Sequence, residues 1–252
     1  MKPADKPLFT PIHLKLTPEL PWPKDEPMFH VLASNGLYRC RNTPFYSSCV
    51  LTTDFPSELA AHDQFLKLTY PKIPQRAFEQ IIGYFWRVGV RYGAEAAVLL
   101  VWNKTAQRYE IVVPEQLSLV SNSWHGKPYP IEVHYEIPPL PADWMLVGDI
   151  HSHVEGPAYA SYTDKDDELH RPGLHIVVGR IHEEPPEFHI EVSVDGARFK
   201  VKNLETVVEG YQQRRTGEVP PDWLDKITVK TWSNYKNVPA YQGTAQDSYP
   251  AT

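Results

Sequence analysis

Met145-Leu146-Val147-Gly148-Asp149-Ile150-His151-Ser152-His153 is an apolar run that ends in two histidines, and Ser161-Tyr162-Thr163-Asp164 follows it shortly afterwards. The apolar, β-branched lead-in predicts a buried strand. Side chains alternate faces along a strand, so residues two apart share a face. His151 and His153 therefore present two imidazoles to one point, with Ser152 turned away. Neutral imidazoles are good zinc ligands, and a catalytic zinc takes a third protein ligand while keeping one position for water. Asp164 is the candidate third ligand, because Gly156 and Pro157 let the chain turn back towards the histidines.

Ser161-Tyr162-Thr163-Asp164 also has the form of a helix capping box, with Lys165-Asp166-Asp167-Glu168-Leu169 as the first turn. Both readings can hold at once, a helix start aiming Asp164 at a metal. Asp166, Asp167 and Glu168 read as solvated charges favoured by the helix dipole. Single strand histidines are usually half-buried polar residues, and His134, His175 and His189 fall in that class.

Upstream, residues 74–92 give the clearest helix. Pro74 suits its first position, Phe78, Ile81, Ile82, Phe85 and Trp86 make an apolar core stripe, and Gly93 stops it. A buried strand over residues 94–102 follows, with one charge, Glu95, at its start. A carboxylate entering an apolar strand is costly unless it has a partner. A metal-bound water would be such a partner; a solvated strand end is the plainer explanation. Glu110, Glu115, Glu132 and Glu136 compete with it, but they sit within or after the strands at 109–113 and 131–135 and lack the preceding helix.

The spacing His-x-His-x(7)-Ser-x-x-Asp, filled by His151, His153, Ser161 and Asp164, resembles the JAMM signature of the JAB/MPN metalloprotease family. The resemblance covers residues 72–215. It implies an α/β fold, a cytidine-deaminase-like sandwich of a mixed β-sheet flanked by helices. It implies Zn2+ held by His151, His153 and Asp164, Glu95 as general acid and base, and Ser161 stabilising the tetrahedral intermediate. The order helix, Glu, apolar strand, second strand, His-x-His is that of the family and favours the functional reading of Glu95. Within the family the chain is most similar to bacterial JAB proteins, in particular the protein A group of the PRTRC system, in which an N-terminal extension precedes the JAB domain.

Bacterial relatives sit beside E1-like (ThiF-type) enzymes and ubiquitin-like proteins. The resemblance thus implies a peptidase or isopeptidase that processes or removes a ubiquitin-like tag, with an E1-like enzyme as a partner. Two departures stand out: Val154 replaces the Pro that commonly follows the second His, which implies an altered loop, and Ala96-Ala97-Val98 replaces a common Cys-Gly after the Glu. Two other readings remain, an inactive JAB-type scaffold and a zinc hydrolase of a small-molecule amide. The complete ligand set disfavours the scaffold, and the shape of the pocket separates the second from a peptidase.

The 252 residues divide into a mostly β extension over 1–70, a JAB/MPN domain over 71–216 and a C-terminal tail over 217–252. The extension has strand-like runs at 29–32 and 48–51, a short strand within 8–16 and a short helix at 57–61. The domain closes with strands at 174–181, 188–194 and 198–201, the last two joined by an Asp195-Gly196 turn, and with a helix over 203–214 carrying Leu204, Val207, Val208 and Tyr211. The tail is polar and aromatic and is expected to be poorly ordered unless docked, with Trp223 and Trp232 packing on the domain or on a partner.

A net charge of −6 argues against a general nucleic-acid or membrane-surface binder. Cys40 and Cys49 are the only cysteines, so there is no disulfide framework or Cys-rich zinc site; they are either one disulfide or two cytosolic thiols. With no signal core at Met1-Lys2-Pro3 and no apolar run of membrane-spanning length, the expectation is a soluble cytoplasmic protein. No Gly-x-Ser-x-Gly, His-Glu-x-x-His or Walker loop offers competing machinery.

Overall fold

The computed structural model describes residues 10–19, 21–122 and 128–232 and divides the chain into two units, Met1–Phe65 and Leu66–Thr252. In the first unit, β1 (Ile12–Leu14), β2 (Met28–Ala33), β3 (Gly36–Asn42) and β4 (Ser47–Leu51) form one sheet in that order, β1 parallel to β2 and the rest antiparallel. Period-two alternation turns Phe29 and Val31 to one face of β2, where they meet Cys40 in a small core. β3 escapes a hydrophobicity reading because Arg39, Arg41 and Asn42 interrupt it, although Leu37 and Cys40 are buried. The expected helix at 57–61 is absent: residues 57–59 make only a turn, and Leu59, 53% exposed, has no apolar surface to hold a helix against.

The second unit opens with α1 (Gln75–Tyr92). Pro74 is its cap rather than its first residue, and Gly93 ends it at φ 61°, a left-handed conformation that glycine adopts without penalty. Phe78, Ile81, Ile82, Phe85 and Val88 are fully buried, so the apolar stripe faces the core as expected. After it come β5 (Ala97–Asn103), β6 (Arg108–Val112), β7 (Gln116–Asn122), β8 (Pro128–Tyr135) and β9 (Trp144–Ser152). Then follow α2 (Tyr162–Leu169), β10 (Gly173–Gly179), β11 (Glu187–Val194) and β12 (Ala197–Lys200). Short 3-10 turns at Leu204–Thr206 and Thr216–Glu218 lead to α3 (Pro221–Asp225) and β13 (Ile227–Thr231).

Six strands form a mixed sheet in the order β12-β11-β10-β9-β5-β6, and a second sheet runs β13-β7-β8. β9 and β10 are the parallel pair of the large sheet, joined through α2, while their other neighbours are antiparallel. The fold is thus α/β with mixed sheets and few helices, as the sequence predicts. β10 is buried along its whole length, which explains why it reads as a continuous apolar run. Gly148 and Gly173 let β9 and β10 approach: a Cβ on Gly148 would lie 1.7 Å from the Leu174 carbonyl oxygen. Asp195 (φ 50°) and Gly196 (φ 75°) form the expected tight turn between β11 and β12. Among the described residues, no helix is long and apolar enough to cross a membrane.

Two C-terminal expectations give way. Residues 203–214 do not form a helix beyond one 3-10 turn. Val208 instead bridges to Ile73, the Glu209 N–H donates to the Ile73 carbonyl, and Gly210 takes φ 148°. The buried Glu79 of α1 then captures the chain beyond: its carboxylate accepts from the Gln212 N–H (2.8 Å) and pairs with Arg215 (2.6 Å). Backbone donors that a helix would use are spent on tertiary partners. Nor is the segment after residue 216 a tail as far as Thr231, since β13 pairs in parallel with β7 and Trp223 packs edge-to-face on Tyr84 at 5.6 Å. Residues 233–252, the rest of the expected tail, lie outside the described residues.

Candidate metal centre

β9 delivers the first histidine. His151 is the penultimate residue of the strand and 6% exposed, and His153 follows just beyond the strand end. The antiparallel ladder with β5 pairs Ala97 with His151, and Ser152 N–H still donates to the Ala96 carbonyl at 3.0 Å. Continuing that register puts Glu95 opposite His153, and directly opposed residues share a sheet face. Glu95 therefore lies on the face of the two histidines, just ahead of β5 rather than within it.

α2 delivers the rest. Ser161 caps it, accepting from the Asp164 N–H at 3.1 Å, while Asp164 Oδ2 accepts from the Ser161 N–H at 2.6 Å. The capping box predicted by the sequence is complete, and it fixes the Asp164 carboxylate. Oδ1 then faces His151 Nε2 at 3.5 Å, and Oδ2 lies 3.8 Å from His153 Nε2. One donor atom from each of His151, His153 and Asp164 falls within 4.8 Å of the others. Sequence reasoning assembled this group of residues, and the structure brings all of them together.

The donor set fits a cation. His153 Nδ1 lies 3.1 Å from the Pro157 carbonyl, an acceptor only, so Nδ1 carries a proton and Nε2 is the nitrogen turned towards Asp164. His151 Nε2 is buried and faces only Asp164 Oδ1, at 3.5 Å. Burial pushes the His151 pKa down, but Asp164, Asp149 and Glu95 outweigh it and raise it to about 9. Burial acts to raise Asp164, yet the two imidazoles and Ser161 hold it far below the usual carboxylate range. Burial also raises Glu95 above that range, against the pull of His151 and His153. The carboxylates that favour a proton on His151 would equally favour a divalent cation in its place.

These groups open into a cleft of about 750 Å³. Its walls are the end of α1 at 89–93, the strand β8 and the loop after β9, with Tyr159 edge-on to His153 at 4.9 Å. Val154, in the position where Pro is common, has φ 53° and is buried. Proline is locked near φ −65°, so this loop takes a path closed to it, in line with the expected change. Of the competing acids, Glu110 and Glu115 pair with Arg108 and Lys226, while Glu132 lines the cleft and pairs with His134 at 3.0 Å.

Two readings need correction. Glu168 is not a solvated helix-start charge; it is 1% exposed and paired with Arg198 at 2.5 Å, because α2 turns that face towards β11 and β12. His175 is likewise fully buried rather than half-buried, between Asp149 and Glu168. The charge of Asp149 inside the apolar run 145–150 was the signal for this second cluster, on the same reasoning that singles out Glu95.

Residues 76–191 match the family described as prokaryotic homologs of the JAB domain, which supports a JAB/MPN-type domain in the second unit. No curated protein matches the chain. Among solved structures it is similar to the solution structure of protein DSY2949 from Desulfitobacterium hafniense, at 14% identity over 58% of this chain and 96% of that one, with a TM-score of 0.36.

Proposed function

We propose that this protein is a zinc-dependent peptidase or isopeptidase, with His151, His153 and Asp164 as the metal ligands. The observation that carries this reading is the convergence of the three donors within 4.8 Å in the lining of a cleft, with a half-buried Glu95 on the same face. When bound, zinc supplies Lewis acidity towards a carbonyl and lowers the pKa of a water towards neutrality. Glu95, raised by burial, takes the proton of the attacking water and returns it to the leaving nitrogen as the amide C–N bond breaks. The Ser161 hydroxyl accepts from the Asp164 N–H through its oxygen, so its hydrogen is free to donate to the carbonyl oxygen as charge develops there. The cleft gives the amide a wall to be oriented against.

The substrate of this reading is the C-terminal segment of a ubiquitin-like tag, and its partner an E1-like, ThiF-type enzyme. The N-terminal extension before the JAB-type domain supports a place near the protein A group of the PRTRC system. The test begins with metal content. About one zinc per chain in the wild type, lost in Asp164→Asn and His151→Ala variants that remain folded, supports the centre. Release of a C-terminal extension from a ubiquitin-like fusion by the wild type, and not by Glu95→Gln, supports the activity. Absence of zinc after reconstitution at neutral pH overturns the enzyme reading.

A further inference from the structure

The metal ligands come from two elements whose relative sliding would pull them apart. His151 rides on β9 and Asp164 on α2. Behind them lies a second link between the same two elements. Asp149 precedes His151 by two residues on one strand face, a step of about 6.6 Å. Glu168 follows Asp164 by four residues on one helix face, a step of about 6 Å. Between Asp149 and Glu168 stands His175 of β10, its Nδ1 3.2 Å from Asp149 Oδ2 and 3.7 Å from Glu168 Oε1. The two steps match, so the second link runs alongside the first.

Asp149, Glu168 and His175 are close enough to be a second metal site, but their chemistry forbids it. His175 Nε2 lies 3.0 Å from the Arg171 carbonyl, which only accepts, and Nδ1 faces two carboxylates. Both nitrogens must donate, so His175 is an imidazolium without a lone pair for a metal. Burial disfavours that charge, but Asp149 and Glu168 outweigh burial and raise the His175 pKa. Arg171 lies 3.4 Å from Asp149, and Arg198 lies 2.5 Å from Glu168 and 2.6 Å from Glu191. Three cations thus face three carboxylates, a closed ionic set.

We propose that Glu168 and Arg198, with His175 and Asp149, are positioning residues: an ionic lock that fixes α2 along β9 and holds Asp164 opposite His151 and His153 before a metal arrives. The proposal rests on the metal-centre reading. Support behind a ligand typically changes metal affinity 10- to 100-fold. Removing one partner would strand a buried charge, whereas replacing both removes the pair together and leaves Glu191 beside His189 (3.0 Å) and His175 beside Asp149 (3.2 Å), so the double variant Glu168→Leu/Arg198→Leu is the one expected to stay folded.

The experiment uses the full chain, with zinc affinity measured by competition against a chromophoric chelator and amide hydrogen exchange followed in the zinc-free protein. A core variant, Phe78→Leu, controls for general destabilisation. The double variant should be folded, bind zinc 10- to 100-fold more weakly, and exchange the Asp164 and Lys165 amides at least tenfold faster. Phe78→Leu should change neither readout by more than twofold, and Arg198→Lys, which keeps a cation beside Glu168, should retain most of both. Zinc affinity and exchange within twofold of wild type in the double variant overturn the lock and leave the metal centre standing. Failure of the wild type itself to bind zinc overturns the metal-centre reading, and with it the lock as a device for holding a ligand.

Discussion

Replacing Glu79 with Ala should cost as much stability as emptying an apolar core position of α1. Its carboxylate is fully buried and receives Gln75 Nε2 at 2.8 Å, the Gln212 N–H at 2.8 Å and Arg215 Nε at 2.6 Å. Truncation leaves the Gln212 N–H and Arg215 Nε without their acceptor, while Arg215 Nη1 keeps Glu218 at 2.9 Å. Breaking a buried ion pair from one side costs about 3–5 kcal/mol. The Arg215 side chain is 30% exposed and can recover some hydration, so roughly 3–4 kcal/mol is expected here. At about 2–4 °C per kcal/mol for a domain of this size, Tm falls by roughly 6–16 °C.

Glu79→Gln keeps an acceptor but loses the charge and should cost about half as much. The pH dependence has a fixed sign. Burial acts to raise the Glu79 pKa, but the donors from Gln75, Gln212 and Arg215 outweigh it and depress it below the ordinary value of 4.5. The charge-dependent stabilisation is therefore complete above pH 4.5 and is lost as pH falls through the depressed value. Thermal melts of wild type and both variants between pH 7 and pH 3 check this. A Tm loss under 2 °C for Glu79→Ala at pH 7, or a gap between wild type and Glu79→Gln that does not narrow in acid, refutes the reasoning.

Other outcomes follow from single contacts. Glu95→Gln should retain one zinc while hydrolysis falls by about 10²–10⁴; because burial raises Glu95, the wild-type rate should climb with pH through that raised value, and a profile flat down to pH 4 would exclude it as the base. Gly148→Ala should unfold or strongly destabilise the protein, since its Cβ would sit 1.7 Å from the Leu174 carbonyl oxygen, whereas Gly217→Ala, with nothing within 4 Å, should melt like wild type. Thiol titration of the native protein should count one fast group, exposed Cys49, while Cys40, pushed up to about 12 by burial and by its neighbour, reacts only on unfolding; no reactive thiol in either state would mean that the pair is a disulfide.

The metal centre was legible because its parts are local. The i, i+2 register of His151 and His153 follows from strand geometry alone, and the capping box from the spacing of Ser161 and Asp164. α1 was legible because its apolar stripe and its stop at Gly93 agree. What escaped was decided by distant partners. Leu204, Val207, Val208 and Tyr211 have helical spacing, yet Ile73 and Glu79 claim that segment's backbone donors from more than a hundred residues away. Glu168 looks like a surface charge until Arg198, on another strand, is brought beside it. β3 hides behind its arginines because its two buried residues, Leu37 and Cys40, are three apart and break the period-two alternation.

β13 lies parallel to β7, pairing from Ile227 opposite Gln116 to Thr231 opposite Val120. The family likeness ends at residue 191, well before this strand begins. A fragment trimmed to that likeness would strip β7 of one neighbour and leave Leu119 and Val120, both buried in the intact chain, beside a bare ladder of amides and carbonyls. Such an edge recruits whatever strand it meets first. Ancestry and foldability draw different borders here, and a soluble recombinant piece of the second unit has to run through Thr231.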